Sequence, residues 1–451
     1  MSPTGVDISG ITTAATLKAT TGIVTTLTAT TGIVTTLTAN TTKITTGIVT
    51  TLTATTGIVT TLTTNTLTAN STAKVGSGVT LSPDGDVFTT GITTSSTVIV
   101  GSGVTISESG IEASGIGITC ANINGAQIGG RRNLMINGAM QIAQRGTSST
   151  SDGYTTVDRF HVEDAGGEES VTREQVSVTS GGAYNSGFRN CLKLTNGNQT
   201  GGAGATDYIQ ILYRFEAQDI ANSGWNYPST SSFVTLSFWM KSSVAQAFSG
   251  SLRTADGTSY SYKFDTPSLS ANTWTKVTKT IPGNSNLTFD DDIGDGLAIF
   301  LYPFLGTTYT SSNANTETWI SSSGDTYSNN ITSTWWTTND ATFEVTGFQL
   351  EVWSQPTPFE HRTIGDELAL CQRYYQVGSS IGAGYGSANG YARAGSVYAT
   401  PMRTTPTLAT TNSGSGSIIA SGTSNTGFYV TYGSLGGSSA GIFSFIANAE
   451  I

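Results

Sequence analysis

Residues 233–241 read Phe-Val-Thr-Leu-Ser-Phe-Trp-Met-Lys, and this segment decides the fold class of the chain. Alternation places Val234, Leu236, Phe238 and Met240 on one face of an extended chain, which predicts a β-strand with one face toward a core. Further strand-like segments follow at residues 274–281, 296–305 and 343–353. Short strands separated by long loops of Ser, Asn, Asp and Gly predict an antiparallel, jelly-roll-like β-sandwich.

One helix is predicted beyond the sandwich, over Thr363–Gln376. Asp366 and Glu367 lie in its first turn, where negative charge is favourable. Its apolar stripe consists of Ile364, Leu368, Cys371 and Tyr375. Residues 377–451 then contain three charged side chains and are rich in Gly, Ser and Tyr, with short strand-like pieces, so they predict a small C-terminal β tip.

A decapeptide repeat, TGIVTTLTAT, dominates the N-terminal part of the sequence. Its copies begin at Thr21, Thr31, Thr46 and Thr56. A short, faithful repeat is typical of a fibrous shaft, and its Thr, Ile and Val residues favour strand over helix. Each unit has too few apolar residues to bury against itself, so we expect neighbouring copies of the chain to cover them in a homotrimer. The alternative is an unfolded Thr/Gly linker, against which the regular Ile and Leu spacing argues.

The half-unit TTKIT interrupts the repeat at residues 41–45. In a straight strand, an insertion of odd length moves every later side chain to the opposite face. Because the repeat resumes unchanged, we expect a module of about five residues with a corner at each junction. A second repeat, VGSGVT, begins at Val75 and again at Val100, and Gly129-Gly130 follows it.

These patterns divide the chain into six parts of an all-β, elongated protein. The parts are an N-terminal attachment segment (1–20), a decapeptide-repeat β stalk (21–74), a second stalk segment with a 25-residue repeat (75–130), a jelly-roll-like sandwich head (131–362), the linking helix (363–376) and the β tip (377–451).

The composition excludes several classes of function. Charged residues make up 11% of the chain, against roughly 25% in an ordinary soluble protein, and the net charge is −10. A negative chain does not offer the basic face that nucleic acids require. Three scattered cysteines form neither a disulfide framework nor a CxxC metal motif, and no apolar run is long enough to insert into a membrane. The opening MSPTGVD has no secretion signal, so we expect release by cell lysis, as for virion parts.

Several motifs resemble segments of tailed-bacteriophage tail fibre proteins. Residues 133–146, NLMINGAMQIAQRG, and Tyr154–Phe160 resemble the opening of a globular fibre domain. The segments at 347–351, 357–362 and 367–375 are similar to the end of that domain. Leu236–Lys241 and Thr273-Trp274 resemble jelly-roll carbohydrate-binding modules, Met402–Thr407 resembles a distal fibre segment, and the GIVT repeats are similar to cyanophage stalks.

The resemblance implies a homotrimeric tail fibre located on the virion. Such a protein would join the phage tail or other virion proteins through its N-terminus and would recognise a host cell-surface glycan without covalent chemistry. Two alternatives stay open, namely a glycan-degrading (depolymerase) appendage and a purely structural virion fibre. We expect a protein that is not an enzyme and needs no cofactor.

Aromatic residues in polar loops are the candidates for glycan binding, because sugar rings stack their C–H faces on such side chains. For each of them, packing in a core or a trimer interface is the alternative. The candidates in the head are Trp225, Tyr227, Tyr302, Tyr309, Trp319, Tyr327, Trp335 and Trp336. The candidates in the tip are Tyr385, Tyr391, Arg393, Tyr429 and Tyr432, a Tyr-rich mixture that suits adaptable recognition.

Two acidic clusters permit other chemistry. A carboxylate pair for glycan cleavage is available at Glu168-Glu169 or at Asp290-Asp291-Asp292 with Asp295. Clustered carboxylates at Asp290–Asp295 also suit calcium. Both clusters lie in Gly/Asn-rich sequence that is typical of solvated turns, so we predict neither a catalytic residue nor a metal ligand. No arrangement of Ser, Cys and His indicates a nucleophilic triad or a zinc site.

We expect the intact chain to sediment as a trimer in analytical ultracentrifugation. The reason is that one copy of the decapeptide cannot bury its own Ile and Leu side chains. Changing Ile33 and Leu52 to Asp should weaken the stalk, because each trimer would bury three unpaired carboxylates at each site. A monomeric sedimentation coefficient for the unmodified chain would contradict the prediction.

Overall fold

The structure is a computed structural model that describes residues 33–44, 48–59, 97–100, 104–107, 110–113, 132–199, 201–311, 316–322, 326–329, 331–412 and 417–451. The chain separates into two compact units, Met1–Ile116 and Gly117–Ile451.

The first unit contains two short sheets. Strands β1 (Ile33–Ile44) and β2 (Ile48–Val59) pair in parallel, with Ile33 opposite Ile48 at an offset of 15 residues. Ile48 lies beside Ile33 at the start of β1, and the four residue steps from Ile44 at its end to Ile48 span at most ~14 Å. The two ends of β1 are therefore close together, whereas a straight strand of 12 residues would span roughly 40 Å. The backbone of β1 therefore bends, and corners at a spacing of five residues stay a prediction. The trimer and the stalk stay predictions.

Three further strands of the first unit form an antiparallel meander. They are β3 (Thr97–Val100), β4 (Val104–Ser107) and β5 (Gly110–Ala113). The first copy of the VGSGVT repeat, which begins at Val75, lies outside the described residues.

The second unit begins with a two-sheet β-sandwich. Its strands are β6 (Ser148–Ser149), β7 (His161–Ala165), β8 (Thr172–Ser177), β9 (Asn190–Thr195), β10 (Tyr208–Glu216), β11 (Phe233–Ser242), β12 (Ser249–Thr254), β13 (Tyr260–Asp265), β14 (Thr275–Pro282), β15 (Asp295–Leu305), β16 (Trp319–Ser321) and β17 (Thr342–Val352). The front sheet has the order β16-β13-β12-β15-β10-β7, and the back sheet has the order β14-β11-β17-β9-β8-β6. The predicted all-β sandwich is confirmed.

The main core lies between the two sheets. Strand β11 sits between β14 and β17, and its four predicted core residues are all buried. Phe238 is fully buried and stacks on Phe348 of β17, with ring centres 4.9 Å apart. Thr235 and Ser237, on the opposite face of β11, are buried as well. Part of the outer face of the back sheet is therefore covered too, while Lys276 and Thr278 of β14 are exposed.

Three helices accompany the strands: α1 (Gly181–Asn185), α2 (Ala217–Ala221) and α3 (Ile364–Gln372). The predicted linking helix is α3, and Thr363 caps it by accepting a hydrogen bond from the Asp366 amide. It ends four residues earlier than predicted, because Tyr375 begins a strand and cannot also continue the helical stripe. Among the described residues, no helix combines the length and apolarity needed to cross a membrane.

The tip is a four-stranded sheet of β18 (Tyr375–Val397), β19 (Thr407–Asn412), β20 (Ser417–Thr423) and β21 (Gly427–Asn448). Strand β21 pairs with each of the other three. One face of the sheet packs Phe428, Val430, Tyr432 and Phe443 into a small core. The opposite face includes Tyr429, which is exposed.

The segments that open and close the head bind each other directly. Asn133 donates from its amide to the Phe348 carbonyl at 3.0 Å, and its side-chain oxygen accepts from the Leu350 amide at 3.1 Å. The Asn137 amide donates to the buried carboxylate of Glu367 in α3. Arg362 donates to the carbonyl of Asn133. These are the residues whose motifs resemble the two ends of a fibre domain, and their role in this structure is to close the sandwich.

A buried cluster of charges joins the head to the tip. Arg159 forms an ion pair with Glu450, and the two side chains are 1% and 5% exposed. Arg145 contacts the same carboxylate at 3.0 Å. Nearby, Arg373 pairs with Glu216 at 2.7 Å. Burial by itself would raise the pKa of Glu216, but hydrogen bonds, first of all that from Arg373, lower this pKa below its ordinary value.

The two cysteines of the described region, Cys191 and Cys371, are buried free thiols. Burial raises the pKa of both thiols, so neither is a reactive thiolate near neutral pH.

We predict that Glu450→Gln lowers the free energy of unfolding by about 3–5 kcal/mol, because it leaves the buried charge of Arg159 unpaired. Urea unfolding followed by tryptophan fluorescence measures this. The matched control is Glu317→Gln, which removes a carboxylate that is 60% exposed and paired with Lys279. That change should cost about 0–1 kcal/mol. Equal losses in the two variants would contradict a stabilising role for the buried pair.

Candidate functional site

The two sheets of the sandwich differ in what covers their outer faces. Helix α1 and Phe359 pack on the back sheet, where Trp239 and Trp274 are partly buried. Gly182 of α1 lies so close to Trp239 that a Cβ atom there would be 2.5 Å from the ring. The outer face of the front sheet instead carries an open cavity of about 250 Å³, which we call the cleft.

Strand alternation decides which side chains line the cleft. In β10, Ile209 and Ile211 lie in the main core, while Tyr208 and Gln210 lie on the outer face. Strands β15 and β12 alternate in the same way. Their outward residues at the cleft are Phe300, Tyr302 and Arg253.

Three tyrosines form a ladder of nearly parallel rings in the cleft. The ring centres of Tyr309 and Tyr327 are 5.5 Å apart with planes 3° from parallel, and those of Tyr302 and Tyr327 are 6.5 Å apart with planes at 12°. The Tyr327 amide donates to the Tyr309 carbonyl at 2.7 Å, which holds the two loop segments together. Tyr327 is 40% exposed, so a ligand can reach the ladder from solvent.

Hydrogen bonds fix the polar groups around the ladder. Glu163 accepts from the Tyr208 hydroxyl and from the Gln210 amide, both at 2.9 Å. The Tyr302 and Ser251 hydroxyls are 2.9 Å apart. Burial, together with the Glu163 carboxylate, raises the pKa of Tyr208 to about 12, and burial raises the pKa of Tyr302 as well. Both phenols are therefore neutral hydrogen-bonding groups at physiological pH.

The charges of the cleft do not form a hydrolytic pair. Glu163 is the one carboxylate among its described lining residues. Glycosidases generally place two carboxylates between about 5 and about 9.5 Å apart. An aromatic surface edged by hydroxyl, amide and charged groups is suited to binding a ligand that is apolar on its faces and polar on its edges.

The structure brings together three of the predicted glycan-binding residues. Tyr302, Tyr309 and Tyr327 come from a strand and two loops, and all three line the cleft. Tyr227 lies elsewhere, partly buried against Phe289 with ring centres 4.9 Å apart.

Tyr302 is itself 3% exposed, so burial contradicts direct sugar stacking by its ring. Five other predicted residues lie in hydrophobic cores, and burial contradicts the prediction for them too. They are Trp225, Trp319, Trp335, Trp336 and Tyr432. Trp335 and Trp336 are at most 1% exposed, and their indole nitrogens donate to main-chain carbonyls at 3.0 and 2.9 Å. A ring without an exposed face cannot stack on a sugar. The packing alternative therefore applies to these rings.

The tip candidates do not form one group among the described side chains. Tyr429 is 42% exposed, and the Arg393 guanidinium carbon lies 4.8 Å from its ring centre. Gly395 and Gly422 pair with Tyr429 from the two neighbouring strands. The side chains of Tyr385 and Tyr391, whose backbone belongs to β18, lie outside the described part, so binding there stays a prediction.

Six residues of the cleft were not predicted from the sequence: Glu163, Tyr208, Gln210, Arg253, Phe300 and Leu305. The order Tyr-Ile-Gln-Ile at residues 208–211 carried a signal, because period-two alternation places Tyr208 and Gln210 on one face. For Glu163 the sequence has no comparable signal. Its place beside Gln210 follows from the pairing of β7 with β10.

The acidic residues considered for catalysis or calcium binding form hydrogen bonds or ion pairs with different partners. Glu169 accepts from the Asn198 amide at 2.8 Å, and Asp291 accepts from Asn222 at 2.7 Å. Asp295 pairs with Arg214 at 3.1 Å. Within the described residues, no group of three His, Cys, Asp or Glu side chains is arranged to hold a metal ion.

Comparison with protein-family models and with curated protein sequences finds no match. Solved structures with a similar arrangement include the enzymatically active domain of tailspike protein 4 of bacteriophage CBA120, at 12% identity and a TM-score of 0.26, covering 49% of this chain and 21% of that one. The family 11 carbohydrate-binding module of a Clostridium thermocellum cellulosomal cellulase matches at 14% identity and a TM-score of 0.22, covering 48% of this chain and 98% of the module.

A third similar structure is a putative sugar binding protein from Bacteroides thetaiotaomicron, at 10% identity and a TM-score of 0.27. This match covers 49% of this chain and the whole of that chain. All these TM-scores are below 0.5, so the function of this chain has to be argued from its own residues.

Proposed function

We propose that this protein binds glycans non-covalently in the cleft of the front sheet. The observation that carries the proposal is the stacked pair of Tyr309 and Tyr327, which are partly exposed at the cleft and lie next to the buried ring of Tyr302. The opposite sheet of the same sandwich has its outer face covered by a helix and packed aromatic side chains. The front face is packed in part too, by the cluster of Leu212, Ala298, Phe300, Tyr302 and Leu305, but Tyr309 and Tyr327 are partly exposed beside the cleft.

The chemistry of the cleft suits a sugar. A pyranose ring presents apolar C–H groups on its faces and hydroxyl groups around its rim. Tyrosine offers a large, rigid contact area at a low entropic cost, together with a hydroxyl group that donates and accepts. In the cleft, Gln210 and Glu163 supply further hydrogen-bonding groups, while the buried Ser251 hydroxyl is bonded to that of Tyr302.

We further propose that the protein is a receptor-binding tail fibre of a phage virion. The motifs that open and close the head and the repeats of the first unit resemble those of such fibres, and they support this wider role. The partners would be two further copies of the chain, virion proteins at the N-terminus and a host-surface glycan. Three weak sites held on one axis would gain affinity through effective concentration.

A depolymerase is the second candidate function. The cleft offers one carboxylate, Glu163, and both of its oxygens already accept hydrogen bonds from Tyr208 and Gln210. Purified host polysaccharide incubated with the protein should therefore release no reducing ends. Reducing-end release that disappears in Glu163→Gln would favour the depolymerase instead.

We predict that the double variant Tyr309→Ala/Tyr327→Ala binds glycans at least about tenfold more weakly than the wild type. Loss of each stacking ring should cost at least about 1 kcal/mol. The measurement is binding of the labelled full chain to a glycan array, followed by titration of the strongest ligand. Thermal unfolding of the same samples checks that the fold is intact.

Two control variants separate loss of a site from general damage. Tyr184→Ala removes a tyrosine of similar exposure, 38%, from α1 on the covered back sheet, and binding should not change. Trp336→Ala should lower the unfolding free energy by about 3–5 kcal/mol, because its ring is in the core. If the double variant binds as tightly as the wild type, the site lies elsewhere. If the wild type binds neither the array nor host cells, the structural-fibre alternative takes its place.

A further inference from the structure

One arginine of the cleft lacks the partners that arginines have elsewhere in this protein. The part of the chain described from residue 132 onward contains eleven arginines, and nine of them donate to a carboxylate or a main-chain carbonyl. Arg253 and Arg393 make no such bond within those residues and lie over aromatic rings. Of these two, Arg253 lines the cleft.

The surroundings of Arg253 keep its charge available. It is half-buried in β12, and its guanidinium carbon lies 4.6 Å from the centre of the Phe300 ring. An aromatic face accepts a cation without neutralising it. Of the carboxylates of the same sheet, Glu163 accepts two neutral donors, and Asp295 pairs through one oxygen with Arg214 and feels the charge of Arg253 only from beyond ion-pair distance.

The position of Arg253 relative to the ladder is set by the sheet. Arg253 pairs with Ala298 across β12 and β15, and the next pair on the same face of the sheet is Ser251 with Phe300. Tyr302 follows two residues further along the same face of β15. The guanidinium therefore lies over Phe300 on the same face of the front sheet as Tyr302, where it can reach a ligand that binds at the ladder.

We propose that the glycan bound in the cleft is acidic, with a carboxylate or sulfate group on its sugar units, and that Arg253 determines this specificity. The inference rests on the proposed glycan-binding function and adds the class of ligand. The tyrosine ladder takes the sugar ring, and the guanidinium takes the anionic group. Uronates and sulfate esters share this chemistry, since both present two or more oxygens to a planar fork of N–H donors.

The charge of the whole protein makes this local contact decisive. With a net charge of −10, the chain repels a polyanion at long range. A preference for acidic glycans therefore has to come from a specific contact within the site. Charge-assisted hydrogen bonds are roughly twice as strong as neutral ones, and Arg253 is the cleft residue that can supply them.

The test uses the full chain and an array of neutral, uronate-containing and sulfated oligosaccharides. The strongest acidic ligand is then titrated by calorimetry, alongside its neutral counterpart prepared by carboxyl reduction or desulfation. The proteins compared are the wild type, Arg253→Gln, Arg253→Lys and the control Lys276→Gln. Lys276 is exposed on β14 of the back sheet, so the control removes one positive charge away from the cleft.

We expect acidic glycans to give the strongest binding on the array. The class that binds more strongly, uronate-containing or sulfated, identifies the anionic group. Arg253→Gln should weaken acidic binding about tenfold to hundredfold and leave the neutral counterpart unchanged. The affinity of Arg253→Lys for the acidic ligand should lie between those of the wild type and Arg253→Gln, because an ammonium group keeps the charge but not the bidentate geometry. Lys276→Gln should bind like the wild type.

Other outcomes overturn the inference or its premise, and they can be told apart. If neutral glycans bind the wild type as tightly as acidic ones, or if Arg253→Gln weakens both equally, Arg253 only supports Phe300 and the specificity claim fails. If Lys276→Gln reduces acidic binding as much as Arg253→Gln, the preference reflects the overall charge of the protein and not a contact of Arg253, and the specificity claim fails. If no glycan binds, or if binding survives Tyr309→Ala/Tyr327→Ala, the proposed function itself fails.

Discussion

The buried charge of Arg159 is the constraint on which the second unit depends. A guanidinium that is 1% exposed is costly unless its surroundings replace the lost water. Glu450 of the tip supplies the opposite charge, the Arg214 carbonyl accepts a hydrogen bond at 2.6 Å, and the Tyr374 ring lies 3.5 Å from the guanidinium carbon. These partners come from the front sheet, from the end of α3 and from the closing residues of the tip. Head and tip therefore have to assemble together.

Backbone strain in the opening segment points to the same constraint. Asn137, Met140 and Arg159 all adopt left-handed backbone angles, with φ of 59°, 56° and 73°. Each such residue costs roughly 1–2 kcal/mol and persists only where its surroundings determine its conformation. The buried hydrogen bonds of Asn137 and the ion pair of Arg159 provide those surroundings. The closed sandwich in turn fixes the front sheet, on which the proposed site is built, and a site that is formed in advance reduces the ordering entropy that opposes binding.

Much of the fold could be predicted from the sequence, because period-two patterns in Phe233–Lys241 and the later strands report directly which face is buried. The site was harder to predict. Trp335 and Trp336 follow Ser and Thr residues that read as a polar loop, yet threonine hydroxyls bond the local backbone and the two rings fill the core. The composition of this segment indicates a polar loop. The direction in which its two Trp rings point depends on contacts with strands that are distant in the sequence.

The cleft shows the same limit of prediction from sequence, here for residues that do line the proposed site. Tyr302, Tyr309 and Tyr327 were recognised as aromatic residues near loops, but their stacking depends on the contact between two loop segments. The isolated pairing of Thr310 with Ser328 provides that contact. Likewise, nothing near Arg253 in the sequence tells that it lacks a carboxylate partner, because partners such as Asp295 are assigned by strand order.

A crystal structure of the full chain with a bound oligosaccharide tests the central claim most directly. The account predicts a sugar ring in van der Waals contact with the rings of Tyr309 and Tyr327 on the front sheet. Hydroxyl groups of the same sugar should lie within hydrogen-bond distance of Gln210 or Tyr208. A sugar bound at the tip, on the back sheet or at a boundary between copies, with the cleft empty, would contradict it.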